Sequence, residues 1–155
     1  MTTTVIPAAE PVTTRPPIRR GVLAATVGAG VALAYGAVLD LADVPMLAGG
    51  PGATEPTAIG LRNFAEGTII CTAIATGLAV VLARRAARPR RTFIATTVAL
   101  TLASMMLPLA AGATATSTRL ALALGHVLIA SVVVPIIAMA LPDGPDRSDP
   151  TAPRA

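Results

Sequence analysis

The positions of the arginines constrain this chain more than any other feature. The 155 residues contain twelve arginines and no lysine. Ten arginines fall in three groups: Arg15, Arg19 and Arg20 before the first apolar stretch; Arg84, Arg85, Arg88, Arg90 and Arg91 between the second and third; Arg147 and Arg154 after the fourth. Only Arg62 and Arg119 lie near the other two connections. Short basic segments resist translocation, so the cytoplasmic flanks of membrane helices collect Lys and Arg. The alternation predicts four crossings of the cell membrane with both termini cytoplasmic.

The apolar stretches support that reading. A spanning helix needs about 20 predominantly apolar residues. Gly21 to Leu39 and Gly67 to Ala83 carry no charge, and Thr92 to Thr118 and Leu120 to Leu141 share one ionisable side chain, His126. A soluble bundle would show polar residues every few positions on each helix, whereas here charged residues are only 13% of the chain and clustered. The expected fold is an all-α membrane protein, a four-transmembrane-helix up-down-up-down bundle. Its helices are expected at about residues 19–41, 57–85, 91–109 and 119–141, within a single domain spanning 19–141. Short connections make consecutive helices antiparallel neighbours. Residues 1–18 and 142–155 are Pro-rich and too poor in apolar surface to offset ordering entropy, so both are expected as disordered cytoplasmic segments. The loop at 42–56, with Pro45, Gly49, Gly50, Pro51, Gly52 and Pro56, forbids a long regular element.

The sequence pI near 11 does not point to nucleic acid, because the aromatic interleaving that stacks bases is missing. The lipid bilayer is the expected partner, and the basic loop 84–91 is placed to touch anionic headgroups. The lone cysteine, Cys71, excludes an intrachain disulfide.

Polar residues within the crossings gather toward one side. Asp40 ends the first helix; Arg62, Asn63 and Glu66 lie early in the second; Arg119 opens the fourth, with His126 about 10 Å deeper at 1.5 Å per residue. Ionisable groups inside a membrane face the bundle interior or water, because exposure to lipid is costly. Helical spacing aligns Asp40 with Ala25, Ala29, Ala32 and Gly36, Glu66 with Ile70, Ala73 and Gly77, and His126 with Ala123 and Ala130. Small residues mark close helix packing in lipid, so Ala32, Gly36, Ala73 and Gly77 are the expected packing positions. Two readings stay open. Asp40, Arg62, Asn63, Glu66, Arg119 and His126 could line an outward-opening polar pocket. Alternatively they form a structural network, with Arg62–Glu66 as an i,i+4 pair and His126 bonded to a carboxylate or carbonyl.

Pro108 and Pro135 each follow a serine by four residues, Ser104 and Ser131. Each proline frees that carbonyl and is expected to kink its helix. Thr97, Thr101 and Ser104 form a hydroxyl stripe expected to face a neighbouring helix. Phe64 and Phe93 are the candidates for interfacial aromatic anchors. No metal site, cofactor motif or catalytic constellation is expected. His126 is the only histidine, and Gly49-Gly50-Pro51-Gly52 has no following Lys to hold a phosphate.

The second half carries a resemblance. It reads Thr92-Phe93, then Leu102-Ala103-Ser104 and Pro108, a Thr/Ala-rich turn, Arg119-Leu120-Ala121-Leu122-Ala123-Leu124-Gly125-His126 and Val133-Val134-Pro135. This pattern resembles a family of small four-helix membrane proteins of high-GC bacteria catalogued only as a domain of unknown function. The similarity covers roughly 19–141. It implies the four-helix architecture and supplies no activity or ligand. The expected role is a non-enzymatic structural or accessory membrane component, alone as a homo-oligomer or with a partner membrane protein. The alternative is a small-molecule or ion binder or carrier using the polar cluster.

Overall fold

A computed structural model of the chain describes residues 15–50 and 53–144. The terminal segments 1–14 and 145–155, expected to be disordered, lie outside the described residues. Helix α1 spans Arg15–Leu41, α2 Leu61–Arg85, α3 Pro89–Ser104, the single-turn α4 Met106–Leu109, and α5 Thr116–Ala138. Four segments are long and apolar enough to cross a membrane: Pro16–Leu41, Leu61–Arg85, Pro89–Leu109 and Thr116–Ala138. The chain is an integral, multi-pass membrane protein.

The helix starts differ from expectation for local reasons. The first helix begins at Arg15 and runs through Pro16-Pro17; proline costs nothing in a first turn, where its missing N–H would be unbonded anyway. The second begins at Leu61, because Thr57–Ala58 (β2) pairs antiparallel with Leu47–Ala48 (β1) instead. The third opens with Pro89 at its first turn. The fourth crossing begins at Thr116 and ends at Ala138, about one turn before the expected limits.

The bundle is a ring of four. Helix α1 packs on α2, its most extensive contact, and on α5; α3 packs on α5 and α2; α2 and α5 touch across the diagonal, while α1 and α3 do not meet. Gly21 of α1 faces Thr76 of α2, Gly28 faces Thr68, and Gly36 faces Leu61 and Phe64. The residue order on the two helices is opposite, so they run antiparallel.

The α1–α2 seam joins glycine to threonine. On α1 the buried positions are Pro17, Gly21, Ala24, Gly28, Ala32, Gly36 and Leu39. On α2 they are Thr68, Thr72 and Ala79. A Cβ at Gly28 would sit 2.8 Å from Val133 Cγ2 of α5 and 3.1 Å from Thr68 Cγ2. Glycine is required there because three helices converge. Ala32 and Gly36 are buried, but Ala73 and Gly77 are exposed on the opposite face of α2, and a Cβ at Gly77 would meet nothing. The expected packing role of Ala73 and Gly77 is therefore corrected: within this chain they face away from the bundle. A glycine seam needs a side chain to fill it, and threonine supplies one while its hydroxyl is absorbed by its own helix. Thr68 donates to the Phe64 carbonyl at 2.8 Å, and Thr72 to Thr68 and Thr76 to Thr72 at 2.7 Å.

A buried apolar cluster joins Ala24, Ala79, Phe93, Val133, Ile137, Ala138 and Leu141 near the arginine-bearing end. Phe93 is fully buried in it and Phe64 is half-buried. Neither ring is the free interfacial anchor expected. The α3 hydroxyl stripe also turns on itself: Thr97 donates to the Phe93 and Ile94 carbonyls, Thr101 to Thr97 and Ser104 to Thr101. Helix α3 breaks at Met105, three residues before Pro108. Pro135 differs, for α5 continues through it without interruption.

Candidate functional site

The end opposite most arginines is built around the β1–β2 hairpin. The Ile59 N–H donates to the Met46 carbonyl at 2.8 Å, closing the hairpin base. Two hydroxyls fasten it to the start of α5. Thr118, fully buried, donates to the Pro45 carbonyl, and Thr114 Oγ1 accepts from the Gly49 N–H at 3.1 Å. Gly112 must be glycine here, since a Cβ would lie 2.7 Å from the Ala53 carbonyl oxygen.

Just below this cap, three helices meet at Tyr35. Its hydroxyl donates to the Ala121 carbonyl of α5 at 2.7 Å. Its ring stands edge-on to Phe64 of α2, with centroids 6.4 Å apart and planes at 72°. A Cβ at Gly125 would come within 3.1 Å of Tyr35 Cε1. Such an aromatic pair adds about 0.5–1.5 kcal/mol beyond its buried area. Sequence reasoning missed Tyr35, although a lone tyrosine one residue before a packed glycine was a usable signal. Its phenol must find an acceptor when buried in a membrane, and the carbonyl opposite a glycine is the most approachable one.

The six polar candidates are distributed around this centre, not gathered into it. Arg62 Nε donates to Glu66 Oε1 at 2.5 Å within α2, with the two side chains 87% and 51% exposed. Asn63 and Asp40 are also exposed. His126 is exposed on α5, and its Nδ1 pairs with the Leu122 carbonyl of its own helix at 2.8 Å. Arg119 is half-buried; its Nε is buried and has no hydrogen-bond partner among the described residues. The structure thus brings Arg62 and Glu66 together and joins no two of the six across a helix boundary. Glu66 and His126 are turned outward, while Tyr35 and Phe64 fill the space between α1, α2 and α5. Among the described residues no three His, Cys, Asp or Glu side chains converge as metal ligands would.

The other end is basic. Arg19, Arg20, Arg84, Arg85, Arg88, Arg90 and Arg91 lie there, at the termini of antiparallel helices. Arg90 Nη1 bonds both oxygens of Asp143, at 2.8 and 3.0 Å. The Arg90 main-chain N–H donates to the Pro142 carbonyl at 3.3 Å. Gly144, at φ +97°, lies against the Ala87 carbonyl, so the segment after α5 folds over the α2–α3 turn.

No curated protein and no solved structure matches this chain significantly. A family model does match, over residues 12–143, which takes in all four crossings. The chain belongs to the family of unknown function DUF6069.

Proposed function

We propose that this integral membrane protein is a non-enzymatic accessory component of the cell membrane, with both termini cytoplasmic, acting by packing against a partner membrane protein or a second copy. The observation that carries the reading is Tyr35. At the depth where a polar pocket would open, its ring and that of Phe64 occupy the junction of three helices, and its hydroxyl is bonded to Ala121. The Thr hydroxyls in the seam are likewise bonded to their own helices. An interior filled in this way, with Arg119 Nε as its one unbonded buried side-chain polar atom among the described residues, suits a rigid scaffold more than a carrier, which needs polar groups aimed into a shared space. The orientation rests on the arginine asymmetry.

Reporter fusions at residues 50, 88 and 150 test the topology: 88 and 150 are expected inside and 50 outside. The role is tested by deleting the gene and following membrane complexes on native gels. An accessory component should, on deletion, shift or deplete a complex. An Arg62→Gln/Glu66→Gln/His126→Ala triple variant should restore it. A folded triple variant that fails to restore the complex would favour the binder or carrier.

A further inference from the structure

We propose that the arginine end holds one anionic phospholipid, with the headgroup phosphate on Arg90 and Arg91 and an acyl chain against Ile94 and Ala95. This inference is independent of the accessory role. An open groove of about 350 Å³ is lined by Arg90, Arg91, Ile94, Ala95 and Asp143. Its chemistry changes along the helix axis. The guanidinium groups sit in the first turn of α3, and Ile94 and Ala95 lie one turn further along, about 5–6 Å at 1.5 Å per residue. Charge at the membrane surface and hydrocarbon one turn below is the profile of a phospholipid. A free phosphate would use only the upper part.

Charge complementarity selects an anionic lipid. Seven arginines at this end face one described carboxylate, Asp143, and that carboxylate is spent on Arg90. Arg91 is exposed and has no acidic partner among the described residues. Guanidinium presents a planar fork of donors that matches phosphate oxygens. Asp143 does more than neutralise. With the Pro142 carbonyl on the Arg90 main chain, it holds the Arg90 guanidinium toward the groove rim and leaves Arg91 as the cation without an acidic partner. The positive end of the α3 dipole adds to the same field.

The full chain in mild detergent can be titrated, under native mass spectrometry, with phosphatidylglycerol and with phosphatidylcholine of the same acyl chains. One phosphatidylglycerol should be retained in preference. Arg91→Gln should weaken it about fivefold, as one arginine at a lipid surface contributes. The Arg91 side chain is exposed and makes no hydrogen bond or ion pair among the described residues, so its substitution should leave the fold intact. Arg90→Gln should weaken retention at least as much. Arg62→Gln, at the other end, should change nothing, and soluble glycerol phosphate should not compete. Equal retention of phosphatidylcholine overturns the proposal. So does an equal loss in Arg62→Gln, which indicates diffuse charge, or full competition by glycerol phosphate, which indicates a soluble-anion site.

Discussion

The two faces of α2 carry small residues at similar spacing, yet only one packs. The inward face presents Thr68, Thr72, Thr76 and Ala79; the outward face presents Ala73 and Gly77. The outward face sets its two small residues among Ile70 and Ile74, which are exposed, whereas the inward face is an unbroken row of small side chains. What decides between them is the neighbour. Helix α1 brings three glycines to the seam, Gly21, Gly28 and Gly36, and each lies opposite an α2 side chain. Each glycine notch on α1 receives an α2 side chain, and the contact supplies the dispersion attraction that holds helices together in lipid. Small residues therefore mark where a helix can be approached, and the side chain opposite determines whether it is.

That contrast can be broken by filling either face. Gly28→Leu should have the largest effect, because its new side chain meets α2 and α5 together. Overpacking of this kind costs about 1–3 kcal/mol, and thermal unfolding in detergent should show a clear fall in midpoint. Gly36→Leu should cost less, since its nearest obstacle, Leu61 Cδ2 at 2.8 Å, is the flexible end of a side chain. Tyr35→Phe keeps the ring and removes one hydrogen bond, so a loss of about 1 kcal/mol is expected by the same assay. Arg62→Gln removes an exposed i,i+4 pair and should cost roughly 0.5 kcal/mol or less. Gly77→Leu should cause no loss. A destabilisation by Gly77→Leu equal to that of Gly28→Leu would erase the distinction between the faces.

The crossings were legible because the length of an uncharged run sets a physical minimum for spanning, and the four runs meet it. Their starts were less so: the expected start at 19 leaves out Pro16-Pro17, which fit a first turn, and the expected start at 57 takes in Thr57, which pairs with Ala48 instead. The Arg62–Glu66 pair followed from spacing within one helix. Where Asp40, Arg119 and His126 point depends on the rotation of each helix about its own axis. That rotation is fixed by knobs such as Thr68, Thr76 and Tyr35, which simple periodicity does not distinguish from polar residues facing water.

The rotation of α2 is the central claim, and a lipid-dissolved diazirine reads it on the unaltered chain. After photolysis in a reconstituted bilayer, residue-level mass spectrometry should find carbene adducts on Ile70, Ala73, Ile74 and Gly77. Thr68, Thr72 and Ala79 should be protected. Adducts on the threonines with protection of Ala73 and Gly77 would contradict the packing described here.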